Sequence, residues 1–255
     1  MTSDEPLSDE PPSSLRSQYE ELAALTGSLA HEIKNPLSVI RMNMELLAED
    51  FADSETPRER RALSKIDMVT RQCTRLENLL NDFLQFNKVR KLDLRSGSLN
   101  EQMERVLDLF TPQSKESGVE VVRYLDPDLP SILLNAETLQ AALVNLVKNA
   151  LEAMKDGGQL IARTRLTRNG VALDLIDTGT GMDEKTAMKM FEPFYSTKSG
   201  GSGLGLPTAR KIIEAHGGRI GVHSEVGRGT QFTLEFPTPP RIGDESVPDP
   251  ESLTD

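Results

Sequence analysis

Between Leu22 and Phe51 the apolar residues Leu22, Leu25, Leu29, Ile33, Leu37, Ile40, Met44, Leu47 and Phe51 recur at steps of three and four. That spacing lines them along one stripe of a single long helix, and a stripe of this length has to be covered. A second helix follows. It opens at Thr56-Pro57-Arg58-Glu59, a capping box with proline at the first helical position, and carries Leu63, Ile66, Val69, Cys73, Leu76, Leu80 and Phe83 at the same spacing. Two helices joined by a short connection make a hairpin, and a lone hairpin leaves much of each stripe in water. Pairing with a second copy into a four-helix bundle buries the remainder, so a homodimer is expected.

From about Leu92 the rhythm changes to alternating strands and helices. KLDLR, VEVVRYL and SILL are strand-like, and Ser98 with Glu101 forms a capping box for a helix reaching about Lys115. Asn135 caps a helix from Ala136 to Lys155, closed by Gly157. QLIARTRL and VALDLID flank Arg168-Asn169-Gly170, a hairpin signal, and RIGVHS with TQFTLEF forms a second hairpin behind another helix. The fold class is therefore an α-helical hairpin, dimerising as a four-helix bundle, followed by an α/β two-layer sandwich with helices on one face of a sheet. The expected limits are an acidic disordered tail over 1–14, the helical domain over 15–91, the α/β domain over 92–237 and a second disordered tail over 238–255. The segment Lys88 to Gly97 is a candidate hinge.

A formal net charge of -11, with no run of Lys and Arg, argues against a nucleic-acid partner. The single cysteine, Cys73, lies at an apolar helix position, so an intramolecular disulfide is impossible and a reducing, cytoplasmic location is expected. No stretch is apolar enough for a membrane span, and the first residues are acidic, unlike a signal peptide.

Three constellations in the second domain carry chemistry. In NLVKNALEA, Asn145 and Asn149 are four apart on one helix face. Buried amides of this kind serve packing, yet an amide oxygen is also a hard ligand suited to Mg²⁺. In DTGTGM, Asp177 ends a strand and is followed by Gly179 and Gly181. A tight turn accounts for this pattern, and so does a carboxylate accepting a hydrogen bond from an exocyclic amine, with the glycines letting a flat base approach. In GGSGLGL, Gly201, Gly203 and Gly205 surround Leu204 ahead of a helix, whose unpaired N–H groups suit anionic oxygens, and Lys198 stands just before it as a mobile cation.

In this order and spacing the set resembles the GHKL ATP-binding domain shared by histidine kinases, gyrase-type topoisomerases and mismatch-repair ATPases. NLVKNA is similar to its N box, DTGTGM to its G1 box, FEPFYSTK to its F box and GGSGLGL to its G2 box, over about 98 to 236. The resemblance implies ATP and Mg²⁺ as cofactors, with Asn149 as metal ligand, Asp177 reading the adenine amine, and 195–205 as the ATP lid anchored by Phe191 and Phe194. Asn145 occupies the position at which hydrolytic members carry a water-activating glutamate, so poor hydrolysis is implied.

The segment SLAHEIKNPL supplies an acceptor for the γ-phosphate. His31 departs from the apolar stripe, and an attacking imidazole becomes cationic, so the adjacent Glu32 can hold its proton. Asn35, one turn on, can hydrogen-bond a phosphoryl oxygen or orient water, and Pro36 can bend the helix. This segment resembles the H box of two-component sensor histidine kinases, with wording closest to nitrogen-regulator-type kinases. The resemblance implies autophosphorylation of His31, transfer to an aspartate of a response-regulator receiver domain, and phosphatase action through Glu32-Ile33-Lys34-Asn35. Only about 14 residues precede the first helix. Input is therefore expected from a partner, a small ligand or a longer protein of which this chain is a piece. The rivals are a non-catalytic ATP-sensing scaffold and a GHKL kinase acting on serine.

Overall fold

A computed structural model describes residues 33–51, 56–88, 92–198 and 201–238. The expected tails apart from Thr238, the first part of the first helix and residues 89–91 of the candidate hinge lie outside the described residues. The described residues divide into two compact units, one drawn from 33–88 with 196–204 and the other from 92–195 with 205–238.

In the first unit, residues 33–50 form helix α1 and Pro57–Lys88 form α2. The start of α2 is fixed by a reciprocal cap: Thr56 N–H donates to Glu59 Oε2 at 2.8 Å, and Glu59 N–H donates to Thr56 Oγ1 at 3.3 Å. The two helices are antiparallel neighbours. Lys34 Nζ donates to Asn81 Oδ1, and Ser38 Oγ donates to Glu77 Oε1, with Arg41 beside the same carboxylate. Ile66 and Cys73 of the α2 stripe are buried.

The second unit is a two-layer α/β domain. Its five-stranded sheet has the order β2-β4-β5-β7-β6, built from Val119–Tyr124, Gly158–Thr167, Gly170–Asp177, Gly229–Pro237 and Arg219–Glu225. β2 lies parallel to β4 and every other pairing is antiparallel. Helices α3 (Leu99–Glu116), α4 (Ala136–Ala153) and α6 (Gly205–Ala215) share one hydrophobic core with alternate residues of the strands, among them Leu160, Leu173, Leu175, Phe232 and Leu234. The alternation follows from the two-residue period of a strand, and it buries one face of the sheet. The β4–β5 loop is Arg168-Asn169, with Gly170 already paired to Thr167.

Two elements differ from the sequence reading. KLDLR is not a strand over its length: β1 is Arg95–Gly97, paired antiparallel with β3 (Ile132–Leu134) in a separate two-stranded sheet. A short helix α5 (Glu184–Lys189), N-capped by Asp183, follows β5 and carries no apolar periodicity to announce it. Among the described residues no helix is long and apolar enough to cross a membrane.

Candidate functional site

Helix α4 is started by Asn135, whose Oδ1 accepts from Thr138 N–H at 3.1 Å. Its stripe of Leu139, Leu143, Leu146, Val147, Ala150 and Leu151 faces the core, which leaves Asn145 and Asn149 half-buried beside it. Asn149 Nδ2 donates to the Asn145 carbonyl at 2.9 Å. That bond fixes the plane of the Asn149 amide and sets its oxygen on the opposite side.

Asp177 ends β5 and is buried at 4% exposure. Its Oδ1 accepts from Gly179 N–H at 2.9 Å and from Thr230 N–H at 3.2 Å, so backbone on two sides holds the carboxylate. Two backbone donors fix its orientation. Gly179 abuts the end of α4: a Cβ there would lie 2.8 Å from the Ala153 Cβ. Ala153 is one turn beyond Asn149, so the Asp177 turn and the amide-bearing part of α4 are neighbours. Gly181 has φ +63, and a Cβ there would lie 2.0 Å from the Glu225 carbonyl oxygen. The space beside both glycines is thus filled by the protein's own backbone.

Sequence reasoning missed Gly229 and Thr230. A Cβ at Gly229 would fall 1.9 Å from the Asp177 carbonyl oxygen, and Thr230 is the second donor to Asp177. The only signal is the Gly-Thr pair opening the alternation TQFTLEF, which reads equally well as an ordinary strand start.

Helix α6 begins at Gly205, directly beside α4, where a Cβ would touch Asn145 Oδ1 at 3.5 Å. Its first-turn N–H groups and positive dipole end therefore lie next to Asn145. Phe191 packs against the core, with the Arg210 guanidinium of α6 at 5.4 Å over its ring. Phe194, the second aromatic expected to anchor the lid, is 63% exposed and has φ +68, alone among described non-glycine residues. Lys198 is exposed, Gly201 accompanies it, Gly203 has φ +68, and Leu204 is buried. These loop residues group with the first unit.

In that unit Asn35 is exposed on α1, while His31 and Glu32 lie outside the described residues. No group of three His, Cys, Asp or Glu side chains suited to a metal occurs among the described residues. An oriented amide oxygen at Asn149 does fit Mg²⁺, an ion that takes a few protein ligands and fills its shell with water and phosphate oxygens.

Two family models match the chain. The one described as "His Kinase A (phospho-acceptor) domain" matches residues 21–92, and the one described as "Histidine kinase-, DNA gyrase B-, and HSP90-like ATPase" matches 134–240. Sporulation kinase E of Bacillus subtilis (strain 168) is 33% identical over 84% of this chain and 28% of its own length. The signal transduction histidine-protein kinase AtoS of Escherichia coli (strain K12) is 32% identical over 90% of this chain and 37% of its own. The chain thus spans about a third of the length of these curated relatives. Among solved structures, full-length ShkA in complex with AMPPNP matches with a TM-score of 0.67 at 28% identity, over 85% of this chain and 46% of that one. The catalytic domain of histidine kinase ThkA matches at 0.53 and 30% identity, over 58% of this chain and 100% of that one. ThkA in complex with response regulator protein TrrA matches at 0.62 and 26% identity, over 88% of this chain and 64% of that one.

Proposed function

Because the chain belongs to the histidine kinase family, we infer that it binds ATP in its α/β unit, phosphorylates His31 and passes the phosphoryl group to an aspartate of a response regulator. The observation that carries this reading is the convergence around the end of α4. The backbone-held carboxylate of Asp177 adjoins the turn that bears Asn149, and the N-terminus of α6 adjoins Asn145. One carboxylate oxygen has its place set by two N–H groups, and the carboxylate can accept from the adenine amine. The α6 N–H groups can bind anionic oxygens, which suits the phosphates of a nucleotide.

Bound Mg²⁺ supplies charge neutralisation on the phosphates, with the Asn149 oxygen as its protein ligand. The remaining work falls to the chain's own groups. A ring nitrogen of His31 bonds to the γ-phosphorus as the bond to the β,γ-bridging oxygen breaks and ADP leaves. The ring proton that must then be held or lost is served by Glu32, and Asn35 bonds a phosphoryl oxygen or orients the water that cleaves the regulator's aspartyl phosphate to carboxylate and inorganic phosphate. Asn145, an amide, cannot act as a general base, so water is a poor competitor for the phosphoryl group.

Two exposed stripes of α1 support the partners. Ile33, Ile40 and Leu47, seven apart, with Val69 and Leu76 on α2, are between 38% and 50% exposed, and they suit a second copy completing a four-helix bundle. On another side of α1, Val39, Met42 and Leu46 are more exposed still and follow Asn35 at helical spacing. Their place beside the phosphoacceptor segment suits the receiver domain. The deciding experiment incubates the protein with Mg²⁺ and γ-labelled ATP beside His31→Ala. Label that is lost in acid, persists in base and is missing from the variant is the expected result; acid-stable label points to a serine kinase, and nucleotide binding without label points to a scaffold.

A further inference from the structure

His216 has no part in the reading above, yet it is one of few buried polar residues, at 3% exposure. It stands one position past α6, and the helix ends there because Gly217, at φ +72, lets Gly218 N–H reach back to the Ile213 carbonyl. Both ring nitrogens are engaged. Nδ1 lies 2.7 Å from the Ile212 carbonyl oxygen and must donate, whereas Nε2 accepts from the Asn135 backbone N–H at 3.0 Å. One donor and one acceptor define a neutral ring in a single tautomer. Phe236 meets it edge-on, with ring centroids 6.5 Å apart and planes at 83°.

Asn135 is the residue that starts α4. Its side chain caps that helix at Thr138, and its Nδ2 donates to the Asp93 carbonyl at 3.3 Å. The bond from its N–H to His216 therefore ties the N-cap of α4 to the residue just past the end of α6. At the other end of the same pair, the first residue of α6, Gly205, lies against Asn145. The two helices run antiparallel, with His216 and Asn135 at one end and the proposed nucleotide site at the other. Ten residues separate Asn135 from Asn145, an arm of about 15 Å at about 1.5 Å per residue.

We propose that His216 is a positioning residue for the nucleotide site: its Nε2 pins the N-cap of α4 to the end of α6, and so fixes the spacing of Asn145 and Asn149 from the phosphate-facing start of α6. The proposal rests on the nucleotide site inferred above. A rigid helix transmits displacement along its length, so loosening one end moves ligand groups at the other. Misplacement of about 1 Å in such groups is costly to binding and chemistry.

The test uses the full chain with Mg²⁺ and AMPPNP, and compares His216→Gln, His216→Asn and His216→Ala. Glutamine is long enough to set an acceptor oxygen near the place of Nε2, whereas the asparagine amide reaches only as far as Nδ1. Calorimetric titration is expected to give the Asn and Ala variants an affinity about tenfold weaker, with Gln held within about threefold of the parent. In self-phosphorylation the KM for ATP should rise in the same order, with kcat at saturation changed less. Equal losses in the Gln and Asn variants, or parent-like affinity in Asn and Ala whatever their melting temperatures, would overturn the pin and leave the nucleotide site standing. A parent chain that binds no nucleotide would remove both.

Discussion

Asp174 has no exposed surface, although it belongs to the sheet face turned away from the helices. Arg163 and Arg165 both donate to its Oδ2, and Thr233 donates to Oδ1 at 2.8 Å. Burial pushes the carboxyl up, but the hydrogen bonds from Arg165, Arg163 and Thr233 together outweigh it and hold the group below its ordinary value of 3.8. A carboxyl lowered by folding contributes stability that is fully present above its unfolded value and is lost as pH falls through the folded one. The parent protein should therefore lose stability as pH drops below 3.8, more steeply than Asp174→Asn, which lacks this titration. Thermal melts of the two across that range should converge toward acid and diverge near neutrality. The residues of the candidate site differ in how visible they are in sequence. Asp177, Asn149 and the lid glycines announce themselves through motif spacing, whereas Thr230 acts through its backbone N–H, a group every residue but proline possesses. Phe194 shows a different limit, since aromatic character says nothing of a backbone at φ +68 or of a residue left 63% exposed.

At the scale of elements, local chemistry was most legible where a side chain caps a helix. Ser98 and Asn135 cap α3 and α4 through Glu101 and Thr138, each three residues on, as their sequences imply. Strand β1 was misplaced because Leu92 and Leu94 alternate, yet a strand exists only where a partner offers its register, and β3 offers three residues beginning opposite Arg95. Turns add a constraint that glycine counts alone do not reveal. Gly181 and Gly227 both have positive φ, at +63 and +77, but a Cβ at 181 meets the Glu225 carbonyl oxygen whereas nothing lies within 4 Å of one at 227. Gly227→Ala should cost only the left-handed backbone penalty of about 1 kcal/mol. Gly181→Ala must also push the Asp177 turn off the β6–β7 hairpin, and should cost several times as much and abolish AMPPNP binding. Denaturant melts with a nucleotide titration on each variant check both halves of this contrast.

On the scale of the whole molecule, the exposed apolar helix faces and most of the candidate nucleotide site fall in different units. The apolar residues left at the surface of the first unit lie on α1 and α2, while Asn145, Asn149, Asp177 and Thr230 all belong to the second. The proposed pairing with a second copy was legible because periodicity counts apolar residues and a single hairpin cannot bury them all. The arrangement of subunits was not, since periodicity carries no information about which partner faces which stripe. Ile40→Asp with Leu47→Asp places two charges on the stripe proposed to meet the second copy, where an unpaired charge is costly to bury. Sedimentation at increasing dilution should find the parent dimeric and the double variant monomeric. AMPPNP affinity should stay within about twofold of the parent, because sites that share no partners respond independently. Monomers with intact nucleotide binding would place assembly in the helical unit alone. A parallel loss of both would mean that the proposed nucleotide site is completed by the partner subunit.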